Sequence, residues 1–246
     1  YRLCTWAGPK TLLTAHSREL YRYAPVCKLS DAGTIMRIGF DLDGTLISCQ
    51  PKHCVLMTTI AKAFEVDFVA TMYWQDKRAG LNNKQALINQ GISGATAIAM
   101  NSTWISQIET MAWARFDAVF DHARSLLERL KHDGHTLHLV SARNHIPNAR
   151  VQLNVLGMTH LFDSVDFVSL QSKKSKAFYF EKRAIHCYFG DTEADFEAAK
   201  AVGVEFYPVL TGMRDRAFFS ALIPSYFINT DVVQALASMY DNLPQM

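Results

Sequence analysis

Two aspartates one residue apart, Asp41 and Asp43, are followed directly by Gly44 at the end of an apolar run in "IMRIGFDLDGTLIS", residues 35 to 48. Side chains at i and i+2 of a strand point the same way, so both carboxylates are expected to face one site. Two unpaired carboxylates that close repel, and one is driven to hold a proton. Either a divalent cation neutralises them, or one aspartate keeps a proton and uses it as an acid. Gly44 suits a backbone that turns sharply or approaches a ligand closely. On its own, Asp-x-Asp-Gly also suits a plain strand exit into a turn, because Asp and Gly are turn formers.

Three further groups stand where the same site would need them. "LHLVSAR" ends a strand with Ser141, whose hydroxyl can hold a phosphoryl oxygen. "KKSKAFYF" offers Lys173, Lys174 and Lys176 at the start of a helix as a fixed positive charge. "CYFGDTEADFEAAKAVG" puts Gly190 and Asp191 at a strand end, with Asp195 four residues on. Each has an ordinary alternative: a structural serine, a solvated lysine cluster, a helix-capping acid. Four successive strand ends, each delivering a carboxylate, hydroxyl or cation, make a shared site the better reading.

Short apolar runs predict buried strands over 35–40, 136–140, 164–168, 185–189 and 204–209. Amphipathic stretches lie between them. "ARSLLERLKHDG" ends at a glycine stop, "PNARVQLNVLG" opens with Pro147, and "TEADFEAAKAVG" has Thr192 as its candidate N-cap. Strands alternating with helices predict an α/β fold: a Rossmann-like parallel sheet with helices on both faces. Asp43 and Ser141 are 98 positions apart, whereas a strand-helix-strand crossover needs roughly 30 residues. The surplus reads as helices, "KHCVLMTTIAKAFEV", "VATMYWQDKRAG", "NKQALINQG" and "TAIAMNSTWISQIETMAWARF". The expected organisation is an N-terminal extension of unassigned role over 1–34, a core over 35–47 and 119–246, and an inserted α-helical cap subdomain over 48–118. The cap enters just past the carboxyl end of a strand, where open α/β sheets bind ligands.

Bulk properties agree with a small-molecule enzyme. The 246 residues carry a net charge of +2, with 49% hydrophobic and 20% charged residues. That supports a sizeable core and gives no general pull toward nucleic acid or membrane. Five scattered cysteines, an odd number with no C-x-x-C pair, suit a reducing compartment, and a cytoplasmic protein is expected. The oligomeric state is left open.

The ordered set "DLDGT" at 41–45, "LVS" at 139–141, a lysine among 173–176 and "GDTEAD" at 190–195 resembles the haloacid dehalogenase-like superfamily of phosphohydrolases. The likeness runs from about residue 35 to the end, and "FYPVLTGMRDRAFFSALIPSYFINTDVVQAL" resembles the closing segment of members with a helical cap after the first strand, the phosphoglycolate phosphatase and β-phosphoglucomutase type. Many such members have Lys-Pro at the third motif, and here no proline follows any of the three lysines. Lys176 is preferred because it opens the helix before the "HCYFGD" strand.

The resemblance implies a Mg²⁺-dependent phosphatase acting on a small phosphorylated metabolite. Asp41 is then the nucleophile that forms an aspartyl-phosphate. Asp43 protonates the leaving oxygen and later activates water. The Asp41 carboxylate, the Asp43 backbone carbonyl and Asp191 hold Mg²⁺, with Asp195 as a further ligand or support. Ser141, Lys176 and the backbone near Gly44 bind the phosphoryl oxygens. Members that cleave halides or phosphonates lack the second acid, so Asp43 favours a phosphate ester.

In the cap, Arg78 and Asn82 are substrate candidates, although Asn82 also suits a helix cap; Arg143 is a third candidate beside Ser141. Tyr73, Trp74, Trp104 and Trp113 read as cap core. The nine histidines receive no role. Two alternatives stay open: a phosphomutase or phosphotransferase acting on a sugar phosphate, and a binding module of the same fold without turnover.

Overall fold

The computed structural model describes residues 35–169, 175–224 and 228–241. Residues 1–34, and with them Cys4 and Cys27, lie outside the described residues, as do Lys173 and Lys174.

The chain enters with β1 (Arg37–Phe40), turns at the two aspartates and forms β2 (Ile47–Ser48). Five helices follow: α1 (Gln50–Ala63), α2 (Ala70–Arg78), α3 (Asn83–Asn89), α4 (Gly94–Gln107) and α5 (Met111–Ala114). Then β3 (Ala118–Val119) pairs antiparallel with β2. From there helices and strands alternate: α6 (Ala123–His132), β4 (Thr136–Ala142), α7 (Ile146–Val155), β5 (Ser164–Val168), α8 (Lys176–Lys182), β6 (Cys187–Gly190), α9 (Glu193–Ala201) and β7 (Glu205–Pro208). The short α10 (Arg216–Ser220) and α11 (Val232–Asp241) close the chain.

Among the described residues, β5-β4-β1-β6-β7 form one sheet in that order, and every pairing is parallel. Because β1 lies between β4 and β6, the chain direction across the sheet reverses there. Open α/β sheets bind ligands beyond the carboxyl ends of the strands at such a reversal, and Asp41 directly follows β1 at that end. This is the α/β architecture expected from the sequence.

Apolar side chains on the two sheet faces build separate clusters. Phe40, Leu127, Leu130, Leu139, Leu153 and Met239 pack on one face. Val140, Phe180, Tyr188, Phe196 and Phe219 pack on the other. The five helices between β2 and β3 have an apolar cluster of their own, with Leu56, Met57, Ile60, Tyr73, Leu87 and Met100 buried and Trp104 and Trp113 packed against it. Trp74 is buried too, so the aromatic residues of this segment serve as core.

The stretch 96–116, read from the sequence as a helix, breaks into α4 and α5. At the break the Glu109 carboxylate accepts the Asn144 N–H at 2.9 Å and the His145 N–H at 2.5 Å. The Glu109 backbone carbonyl, which a continued helix would pair with an N–H four residues on, instead accepts from Asn148 Nδ2 at 2.9 Å. Among the described residues no helix is long and apolar enough to cross a membrane.

Candidate active site

The acids converge. One carboxylate oxygen each from Asp41, Asp191 and Asp195 lies within 4.8 Å of the others, and all three residues are buried. Asp41 comes from the end of β1, Asp191 from the end of β6, and Asp195 from the first turn of α9. The backbone of Asp41 is fixed by its N–H, which donates to the Phe189 carbonyl of the neighbouring strand at 2.9 Å.

Asp195 has two jobs. Thr192 and Asp195 form a reciprocal capping box at the start of α9. The Thr192 N–H and hydroxyl donate to Asp195 Oδ2 at 3.2 and 2.6 Å. That leaves Oδ1 for Lys176, whose ammonium donates to it at 2.5 Å and to Asp41 Oδ1 at 2.8 Å. The sequence offered a choice between a helix cap and a site acid, and this residue is both.

Asp191 is gripped by backbone. The Met213 N–H donates to its Oδ2 at 2.6 Å, and the Thr211 hydroxyl donates to the Gly44 carbonyl at 2.5 Å. Gly44 has φ of +76°, and a Cβ there would come within 2.3 Å of Asp191 Oδ2 and 2.6 Å of the Gly212 Cα. A Cβ on Gly212 would sit closer still to the same oxygen. Side chains are therefore excluded on both sides of this carboxylate.

Electrostatics follow from crowding in a dry place. Burial pushes the Asp41 carboxyl up to about 6; Lys176 pulls it down while Asp195 and Asp43 push it further up. Burial, with Asp41 and Asp195 close by, lifts Asp191 well above the carboxylate range. Burial opposes the charge of Lys176, but the two carboxylates outweigh it and hold its pKa above the usual lysine value. The buried Asp191 Oδ1 has no hydrogen-bond partner. Three carboxylates facing one ammonium, with an orphaned oxygen among them, fit a hard divalent cation such as Mg²⁺, which takes oxygen ligands.

The Asp43 carboxylate stays close enough to Asp41 for its charge to push the Asp41 pKa up. It lies outside the three-acid cluster. Instead Arg143 Nη2 contacts Asp43 Oδ2 at 2.5 Å, and Lys52 Nζ lies 3.6 Å from Oδ1. Burial raises the Asp43 pKa, but Arg143 and Lys52 outweigh burial and hold it below the ordinary value. Lys52 also pairs closely with Asp117, which accepts from Gln152 Nε2 at 2.6 Å.

Ser141 is buried within β4, one residue before that strand ends. Two cap candidates are otherwise engaged. Asn82 is exposed and forms a capping box with Gln85 at the start of α3. Arg78 donates to the Leu210 carbonyl at 2.8 Å, and its own carbonyl accepts from the Asp215 N–H at 3.0 Å. It fastens α2 to the loop after β7. Arg143 does reach the site, as a partner of Asp43.

Sequence reasoning missed Lys52, Asp117, Gln152, Gly212 and the Met213 N–H. Only the "TG" pair at 211–212 hinted at a tight backbone approach; the others have no local pattern. His53, given no role, is buried against Trp74 and Trp104, with ring centroids 5.9 and 5.2 Å away.

Residues 38–209 match the family model described as haloacid dehalogenase-like hydrolase. Among curated proteins no sequence match reaches significance. Solved structures resemble the fold. A haloacid dehalogenase-like family hydrolase from Streptococcus pneumoniae has TM-score 0.66 and 20% identity, covering 83% of this chain and 98% of that one. A predicted phosphatase from Clostridium acetobutylicum has TM-score 0.62 and 20% identity, over 85% and 99% of the two chains. A predicted phosphoglycolate phosphatase from Haemophilus somnus has TM-score 0.59 and 19% identity, over 83% and 97%. With 172 of its positions under the family model and the ordered motifs at four strand ends, this chain belongs to the haloacid dehalogenase-like hydrolase family.

Proposed function

We propose that the protein is a Mg²⁺-dependent phosphatase of a small phosphorylated metabolite. The supporting observation is the convergence of Asp41, Asp191 and Asp195 within 4.8 Å beside the Lys176 ammonium. Asp41, Asp191 and the Asp43 backbone carbonyl would hold the cation, with Asp195 behind them. When bound, the cation supplies positive charge for the non-bridging phosphoryl oxygens.

An Asp41 oxygen attacks phosphorus, the bond from phosphorus to the ester oxygen breaks, and Asp43 gives the departing oxygen a proton. A water then attacks the aspartyl-phosphate, the bond from phosphorus to the Asp41 oxygen breaks, and Asp43 takes the proton from that water. Ser141, Lys176 and the backbone at Gly44 steady the phosphoryl oxygens as charge develops. Asp43 in its pair with Arg143 is the ionised form that the second step uses. For the first step it must carry a proton, so an arriving ester has to loosen the Arg143 contact. The helices α1 to α5 act as the cap that selects the ester.

The experiment is release of inorganic phosphate from a panel of phosphorylated metabolites, with and without Mg²⁺. Wild type should turn over and Asp41→Asn should lose about 10³-fold or more. An Asp41→Asn variant at the wild-type rate would exclude the nucleophile assignment. Isomer formation without phosphate release would assign a mutase instead.

A further inference from the structure

Asp43 is one member of a closed ring of side chains. Arg143 Nη2 touches Asp43 Oδ2 at 2.5 Å and donates to Gln152 Oε1 at 3.3 Å. Gln152 Nε2 donates to Asp117 Oδ2 at 2.6 Å. Asp117 pairs closely with Lys52, whose ammonium lies 3.6 Å from Asp43 Oδ1. Each of the two cations therefore spans from Asp43 to the Gln152–Asp117 pair.

Separate segments supply the ring: the turn after β1, helix α1, the residue before β3, the residue after β4, and helix α7. Lys52, Asp117, Arg143 and Gln152 are all buried, and the two carboxylates balance the two cations. The Gln152 amide fits one way only. Its oxygen has to face the guanidinium, which can only donate, and its nitrogen has to face the carboxylate, which accepts.

Packing alone does not call for these residues. The other buried positions of α7 are Ala149 and Leu153, and apolar side chains of similar volume often stabilise as well as a buried ion pair. The ring also leaves Arg143 Nε and Asp117 Oδ1 buried without a hydrogen-bond partner. Such a cost points to a use for the geometry. A cavity adjoins the ring, lined by Lys52, Arg143 and Gln152 together with Glu109 and Asn148, so the guanidinium is not packed in on every side.

We infer that Gln152 and Asp117 are positioning residues for Asp43, acting through Arg143 and Lys52. This rests on the phosphatase reading above. In the first step the bond from phosphorus to the ester oxygen breaks and the Asp43 proton passes to that oxygen, so both cations have to slacken their hold on Asp43. Gln152 and Asp117 are the acceptors that keep them in place meanwhile. Without Gln152, the Arg143 guanidinium keeps Asp43 as its one side-chain acceptor among the described residues. Without the Asp117 charge, Lys52 keeps Asp43 as its one carboxylate partner. Either loss tightens a cation on Asp43 and hinders protonation of the departing oxygen.

The test measures kcat/KM of the whole chain with Mg²⁺ on p-nitrophenyl phosphate and on phenyl phosphate. The esters are alike in shape, but phenolate is the more basic leaving group and depends more on a donated proton. Here kcat/KM follows formation of the aspartyl-phosphate, and the ratio between the two esters cancels a general loss of activity. The p-nitrophenyl to phenyl ratio should rise about fivefold or more over wild type in Gln152→Met, which keeps the side-chain volume, and likewise in Asp117→Asn. With Arg143→Met already in place, adding Gln152→Met should leave the ratio unchanged, because its route to Asp43 has gone. An unchanged ratio in both single variants, with thermal melts showing them folded, overturns the inference and leaves the phosphatase reading intact. So does a further rise in the Arg143→Met background. No hydrolysis of either ester by wild type overturns both.

Discussion

The Lys176 ammonium donates to Asp41 Oδ1 at 2.8 Å, joining two residues 135 positions apart in the chain. The same ammonium holds Asp195. It is the one lysine contact to the three-acid cluster among the described residues, and removing it leaves those carboxylates facing one another. Lys176→Met should cut turnover by about 10²- to 10³-fold, the scale of losing one charge stabiliser of the transition state. Steady-state kinetics on p-nitrophenyl phosphate checks this; a loss below about tenfold would contradict it.

Asp41 sits near pKa 6 in the folded metal-free chain, against about 3.8 when unfolded, and Asp191 is raised further. A raised folded pKa means that the folded state binds more protons in that interval. The contribution to stability is then full below about pH 4 and is lost as pH rises through about 6. Mg²⁺ should reverse that loss by binding only the folded form. Thermal melts should show Mg²⁺ raising Tm by a few degrees or more at pH 7.5. The increment should shrink steadily between about pH 7 and pH 5, and an increment independent of pH would count against an ion on these acids.

Lys52 and Asp117 form an ion pair whose side chains are 3% and 0% exposed. Breaking such a pair from one side strands a buried charge, at a cost of roughly 3–5 kcal/mol. Lys52→Met should therefore be strongly destabilised in urea titrations. The double variant Lys52→Met with Asp117→Leu should recover a large share of the loss. Additive losses would mean that the two residues do not act as a pair.

Gly212 faces the Asp191 carboxylate so closely that an added methyl cannot fit without moving one of them. Gly212→Ala should lower Mg²⁺ affinity by about tenfold or more, as read by titration calorimetry. A control at the exposed Gly94, where an added Cβ meets nothing within 4 Å, should leave affinity unchanged.

The sequence showed the sheet because buried parallel strands are short apolar runs, and it showed Asp41, Asp191 and Lys176 because each lies at or just beyond an element boundary. It did not show that Arg143 and Lys52 would pair with Asp43, because those contacts are made across separate segments. The capping reading offered for Asn82 holds at the start of α3, whereas the grip of Arg78 on the Leu210 carbonyl left no sign, because polar side chains near a loop read alike whether they cap a helix, grip a carbonyl or meet a substrate. Lys52, Asp117 and Gln152 lie on three separated segments and carry no pattern, since a buried polar network is defined by packing alone. The backbone donors at 211–213 were hidden for a related reason: an N–H group leaves no mark in residue type.

The two-residue strands β2 and β3 pair antiparallel, with Ile47 opposite Val119 and Ser48 opposite Ala118. The chain thus leaves for the five helices and returns at adjacent points on a narrow ribbon. The helices between them are not loose from the rest: Lys52 reaches Asp43, Arg78 reaches the Leu210 carbonyl, and Glu109 accepts from the Asn144 and His145 N–H groups. Exchanging that segment would therefore strip Asp43 of Lys52 and release the loop whose Met213 N–H holds Asp191.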